Sequence, residues 1–263
     1  MPTVKTNGNQ IAYTQRGQGE PLVLIMGLGA SGALWENHVQ AYEKHFRCIL
    51  VDNRGAGGSD KPAGPYTTKM MADDTAGLMD ALGIRQARVA GISMGSAIAQ
   101  ELALAYPDKV RSLVLISSWA KCDQYMRIVF EHFKRVRRLV SPSDFVQLLQ
   151  LWIFTAGYFE SHQADLLQGQ RDAEIETMPQ AAFEGQCDAC MTHDTLDRLA
   201  RIAAPALITV GSADIFTPLR LSEEMHRRMP ASTLRVFDGW GHCHHWEDLS
   251  AFNAATIEFL LNH

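Results

Sequence analysis

A repeating alternation constrains this chain more than any other feature of it. Short apolar runs recur at residues 22–26, 48–51, 89–92, 113–116, 207–210 and 234–237. Each is about five residues long and lacks a polar face, the pattern of strands buried on both sides. Between most of them lie helical patterns at 71–82 stopped by Gly83, 94–106 stopped by Pro107, and 219–229 stopped by Pro230. Alternation of this kind predicts a mostly parallel sheet covered by helices on both faces. Residues 3–14, turning at Asn7-Gly8, predict an antiparallel hairpin ahead of it, because that dipeptide tolerates the positive φ angles of a tight turn.

One interval breaks the alternation. About eighty residues separate the strand ending near Ser117 from the one starting at Ala206, several times the usual connection. Residues 119–199 are rich in helix formers and aromatics, including Phe130, Phe133, Phe145, Trp152, Phe154, Tyr158 and Phe159. They read as an inserted helical cap, with residues 1–118 and 200–263 forming one α/β core. Within the cap, the basic run Lys134-Arg135-Val136-Arg137-Arg138 reads as a solvated helix face.

With 46% hydrophobic residues over 263, the chain can bury a full core, and its net charge of −5 lacks the basic excess that binding a phosphate backbone needs. Nucleic acid is therefore not an expected partner. The polar start Met1-Pro2-Thr3-Val4-Lys5 and the absence of any membrane-length apolar run predict a cytoplasmic protein with no membrane partner. A homo-oligomer is compatible with the sequence. Five scattered cysteines, Cys48, Cys122, Cys187, Cys190 and Cys243, point to reduced thiols rather than a disulfide framework. Cys187 and Cys190 with His193 have the spacing that begins some zinc sites. Residues three apart on a helix also share a face, where cysteine packs as a small apolar group, and no metal is expected.

The turn Gly91-Ile92-Ser93-Met94-Gly95 sits between the strand over 87–92 and the helix starting at Met94. G-x-S-x-G is short enough to arise by chance, so the strand-turn-helix context carries the reading. Glycines on both sides permit a sharp reversal that exposes the Ser93 hydroxyl at a helix N-terminus, where partial positive charge favours an anion. A serine needs a general base held by a carboxylate. In a nucleophile-elbow architecture these arrive in the order serine, acid, histidine, each after a later strand.

Asp214, in Gly211-Ser212-Ala213-Asp214, follows the run 207–210, and His242, in Gly239-Trp240-Gly241-His242, follows the run 234–237. Asp123 is the rival acid. His244 and His245 rival His242, but Gly239 and Gly241 favour His242, and the other two read as the start of the next segment. His193, Asp194 and Asp197 read as local caps and pairs.

Attack on a carbonyl creates an oxyanion that two backbone amides must hold. Met94, just after the nucleophile, supplies one; Leu28, in the loop Gly27-Leu28-Gly29-Ala30-Ser31-Gly32, is nominated for the other. That loop lacks the endings of a phosphate-binding loop.

With these residues in place, the chain resembles the α/β-hydrolase superfamily over almost its whole length. The likeness rests on Leu24-Ile25-Met26-Gly27 with Trp35, on Asp52-Asn53-Arg54-Gly55-Ala56-Gly57-Gly58-Ser59, on Gly91–Gly95, on Gly211–Asp214, and on Gly241-His242 with Glu247 and Phe252. It is most similar to small bacterial 3-oxoadipate enol-lactonases and aminoacrylate hydrolases, a likeness that extends to Phe183-Glu184-Gly185-Gln186 and Asp194-Thr195-Leu196-Asp197.

The resemblance implies an eight-stranded, mostly parallel sheet and hydrolysis of a small ester or lactone through an acyl-enzyme. Ser93, Asp214 and His242 would be catalytic, Leu28 and Met94 would form the oxyanion hole, and no cofactor would be needed. The expected partner is a small carbonyl substrate, with Gly27, Trp119, Trp152 and Phe216 as candidate binding residues. Asp52, Arg54 and Gly55 match a structural segment. Members of the family often carry histidine before the oxyanion-loop glycine and use it to brace the loop; this chain has Met26, which leaves the brace unassigned. Cleavage of a carbon–carbon bond in a β-diketone or ring-fission product uses the same triad and is the alternative, although such enzymes usually have glycine where Ser96 stands. A ligand-binding module that kept the fold is a third reading.

Overall fold

The six apolar runs and the opening hairpin assemble into one eight-stranded sheet in a computed structural model that describes residues 1–175 and 178–263. The strands are β1 (Thr3–Thr6), β2 (Asn9–Arg16), β3 (Pro21–Ile25), β4 (Arg47–Val51), β5 (Ala87–Ile92), β6 (Val110–Ile116), β7 (Ala206–Gly211) and β8 (Ser232–Phe237), in the order β1-β2-β4-β3-β5-β6-β7-β8. Pairings of β1 with β2 and of β2 with β4 are antiparallel; the rest are parallel. Asn7 (φ 46°) and Gly8 (φ 77°) make the hairpin turn, as that dipeptide predicts.

Alternate residues of each strand face opposite layers. Val23 and Ile25 join a core with α2 (Thr68–Ala81), α3 (Met94–Ala105) and α9 (Leu219–Arg228), whereas Leu22 and Leu24 join one with α1 (Glu36–Tyr42) and α11 (Leu249–Asn262). Both faces are therefore covered, which is why these strands read as continuous apolar runs. The run 234–237 departs from the expectation of a buried strand. Its strand, β8, is parallel but lies at the sheet edge, where Val236 is 42% exposed. An edge strand has one lateral neighbour and less cover.

Between β6 and β7 the chain forms α4 (Gln124–Val136), α5 (Pro142–Ile153), α6 (Ala156–Ser161), α7 (Gln163–Ile175) and α8 (Gln180–Thr192). Residues 176 and 177, inside the 119–199 segment read as a cap, lie outside the described residues. Local chemistry sets the helix starts: the Asp123 side chain accepts the Met126 amide of α4, and that of Ser141 accepts the Asp144 amide ahead of Pro142. The basic run corrects the sequence reading only in part. Lys134 pairs with Asp188 at 2.8 Å and Arg137 lies over the Phe183 ring, both half-buried against α8, whereas Arg135 is exposed and Arg138, paired with Glu184 at 2.7 Å, keeps 61% of its side chain exposed. Among the described residues, no helix is long and apolar enough to cross a membrane.

The chain leaves β3 for β4 on one side and returns to β5 on the other, so the loops after β3 and β5 diverge across a crevice at the strands' carboxyl ends. Such a switch in strand order is where open α/β sheets place their sites.

Candidate active site

Ser93 lies in the turn between β5 and α3 with φ 54° and ψ −119°. A side chain holds such a backbone at a cost of about 1–3 kcal/mol, and only where its surroundings enforce it. Both flanking glycines are sterically required. A Cβ on Gly91 would stand 2.3 Å from the Gly95 carbonyl oxygen, and one on Gly95 would stand 2.2 Å from that of Ile25. The Ser93 amide donates to the Ile116 carbonyl at 2.8 Å, tying the turn to β6. Gly27 packs on Ser93 itself: a Cβ there would lie 3.3 Å from the Ser93 Cβ. Among the described residues the Ser93 hydroxyl makes no hydrogen bond, to His242 or to any other group.

Asp214 and His242 do meet. Their loops follow adjacent strands β7 and β8, and a Cβ on Gly211 would strike the Trp240 carbonyl oxygen at 2.1 Å, so glycine lets the loops pass. His242 Nδ1 lies 2.9 Å from Asp214 Oδ2. Oδ2 also accepts the Thr217 hydroxyl at 2.7 Å, while Oδ1 accepts the Phe216 and Thr217 amides, each at 2.8 Å. Burial alone would raise the Asp214 pKa, but the facing imidazole and these hydrogen bonds outweigh it and hold the carboxyl below its ordinary range. An ionised carboxylate only accepts, so it assigns the imidazole proton to Nδ1 and leaves Nε2 free to take a proton.

The rivals sit elsewhere. Asp123 caps α4 and pairs with Arg220. His244 and His245 begin the short helix α10 (His244–Glu247) and are buried, with His244 Nε2 on the Thr209 hydroxyl at 3.0 Å. His193 Nδ1 meets the Thr68 hydroxyl at 2.9 Å, and burial pushes the Cys187 and Cys190 thiols up. Asp194 pairs with Lys121 and Asp197 with Arg228.

The amides of Leu28 and Met94 have no hydrogen-bond partner among the described residues. Met94 opens α3, whose first amides have no partner within the helix. Of the candidate wall residues, Phe216 stands 5.0 Å from the His242 ring and Trp152 stands 6.4 Å from Phe216. Trp119 is sealed in the core, with Phe130 and His193 as its aromatic neighbours.

Four supporting groups escaped sequence reasoning. Thr217 contacts both Asp214 and His242, and the Ser117 hydroxyl donates to the His242 carbonyl at 2.6 Å. Glu247 accepts the Gly241 amide on one oxygen, and the amide and hydroxyl of Thr155, from the inserted helices, on the other. Gln186 accepts the Gly29 amide at 2.8 Å and donates to the Arg54 carbonyl at 2.9 Å. Glu247 and Gln186 both lie in segments that carry the family likeness, but nothing in their spacing shows what they hold.

A family model described as the alpha/beta hydrolase fold matches residues 20–249. A presumed carbamate hydrolase of Azorhizobium caulinodans is 28% identical over 259 residues, covering 98% of each chain. A presumed non-heme bromoperoxidase of Mycobacterium tuberculosis is 32% identical over 95% of this chain and 97% of its own. Among solved structures, the enol-lactonase of Burkholderia xenovorans superposes with a TM-score of 0.90 at 26% identity, over 99% of this chain and 100% of that one.

Proposed function

The chain belongs to the α/β-hydrolase fold family, and on that premise we propose that it is a serine-triad hydrolase of small carboxylic esters or lactones. One observation carries the reading. A buried, ionised Asp214 fixes the His242 tautomer at the carboxyl end of the sheet whose β5 turn strains Ser93 into view.

In the first half-reaction Ser93 Oγ attacks the carbonyl carbon while its proton passes to His242 Nε2. The Leu28 and Met94 amides receive the oxyanion, and the imidazolium is stabilised by Asp214. Collapse expels the alkoxide, which takes the proton from His242 and leaves an acyl-serine. Water then repeats the sequence: its proton goes to His242, its oxygen to the acyl carbon, and Ser93 leaves with the proton returned. In a lactone the expelled alkoxide stays attached to the acyl group, so a single hydroxy acid is released. An enol-lactonase among the structural neighbours supports an ester-type substrate, and the aromatic surroundings of His242, Phe216 and Trp152, suit a small apolar one.

Ser93→Ala should lower turnover of an activated ester by about four to six orders of magnitude, because a triad acts as a unit. A fluorophosphonate should label the unmodified protein at Ser93, as located by peptide mass. Unchanged turnover in the variant would sink the mechanism, and labelling would exclude an inert binding module. Lactones, esters and ring-fission ketones assayed side by side separate ester cleavage from carbon–carbon cleavage.

A further inference from the structure

The loop carrying Leu28 is held in three places. Asn53 Nδ2 donates to the Met26 carbonyl at 2.9 Å, and Asp52 Oδ1 accepts the Gly32 amide at 2.7 Å. Both braces come from the end of β4 and grip the loop's two ends. Its middle is spanned by a long Ala30-to-Gly27 turn bond of 3.4 Å and by one side chain, that of Gln186 on α8. Gln186 is fully buried. Its amide orientation is unambiguous, because the Gly29 N–H can only donate and the Arg54 carbonyl can only accept. The helix around it is fitted to the same loops: Phe183 lies 3.6 Å from a Cβ placed on Gly29, and a Cβ on Gly185 would press the Tyr66 ring at 3.0 Å.

Gly29 has φ +73°, so its amide direction is set by what binds it rather than by regular structure. Fixing the Gly29 N–H fixes the peptide plane between Leu28 and Gly29. The Leu28 N–H lies in the plane before it, which is thus held between this anchor and the Met26 carbonyl gripped by Asn53, with the Ala30 turn bond on its own Gly27 carbonyl. We propose that Gln186, from the inserted helices, is the positioning residue of the oxyanion loop, holding it where Met26 provides no side-chain brace. This rests on the Ser93 reading above. It also means that the loop is in register only while α8 is seated on the core, because the brace crosses between the two.

A misdirected donor weakens the transition state more than substrate binding. With 4-nitrophenyl butyrate, Gln186→Leu should lower kcat by about a hundredfold with KM within about threefold, the effect of misplacing an oxyanion donor by an ångström and the lower end of losing one. Binding of an alkylboronic acid, which forms a tetrahedral adduct, should weaken in step with kcat/KM. Turnover is expressed per fluorophosphonate-titratable site, so lost folding lowers the titre and lost alignment lowers kcat at full titre.

Gln186→Glu supplies a pH signature that a packing role would not move. A protonated carboxyl can accept from Gly29 and donate to Arg54 as the amide does, whereas a carboxylate faces the Arg54 carbonyl oxygen. Its activity relative to the parent should therefore rise about tenfold or more as pH falls from 8 to 6, a range reached because burial raises a carboxyl pKa. If Gln186→Leu fails to fold, this ratio alone decides. A kcat within twofold of the parent at full titre, a change confined to KM, or a ratio flat with pH overturns the proposal. Failure of the parent to label at Ser93 would instead overturn the reading beneath it.

Discussion

Lowering the pH from 6.5 to 5.5 should destabilise this protein sharply, well above the range where carboxylates titrate. His38, His193, His244 and His245 are each at most 2% exposed. Burial, helped at His193 by nearby Arg198, lowers His38 to about 4 and His193 and His244 to about 3, against an ordinary 6.5. Burial and the neighbouring His38 push His245 well down. All four stay neutral in the folded protein while the unfolded chain protonates them.

Because each folded pKa is depressed, the associated stability is fully present above pH 6.5 and is lost as pH falls toward the folded values. The unfolded chain gains about one kcal/mol per histidine between pH 6.5 and 5.5, about 4 kcal/mol for the four, against a typical total of about 5–15 kcal/mol. Urea unfolding at pH 7.5, 6.5 and 5.5 measures this directly. His245→Leu should remove about a quarter of the loss, and it should not destabilise at pH 7.5, since both ring nitrogens of His245 are buried without a partner among the described residues. A loss below about 1 kcal/mol over that pH interval would refute the reasoning, since these imidazoles would then titrate as they do in water.

The two candidate acids separate by mutation. Asp214→Asn should lower kcat about ten-thousandfold by favouring the wrong imidazole tautomer, while Asp123→Ala should leave kcat within twofold and cost about 1 kcal/mol from the lost α4 cap; steady-state kinetics and thermal melts report both. Arg54 and Asp74 form a doubly bonded pair at 2.6 and 2.7 Å with side chains about 5% exposed. Asp74→Ala strands a buried guanidinium and should cost about 3–5 kcal/mol in urea unfolding, and Arg54→Met combined with Asp74→Leu should recover most of it.

Several features were legible because their physics is local. A strand buried on both faces must be apolar throughout, so five of the six runs announced fully covered strands, and a sharp turn into a helix must be flanked by small residues, so Gly91 and Gly95 marked Ser93. Order along the chain did the rest, since loops after later parallel strands converge on one end of the sheet, where Asp214 and His242 meet. Other features depend on what the chain brings back to that end. Being at an edge exposes the outward residues of β8, although its run reads like the buried ones. Asp188, some fifty residues downstream, draws Lys134 of the basic run in against α8.

Ser93, Asp214 and His242 were thus singled out as candidates by sequence alone, as a pattern of turns after strands. Tertiary structure decided which carboxylate faces His242, that Thr217 shares both partners, and that a glutamine 157 residues away holds the Gly29 amide. The reason is physical: a turn's shape is imposed by its own side chains and their absence, whereas a hydrogen bond between distant segments exists only once packing has placed donor and acceptor within 3 Å of each other.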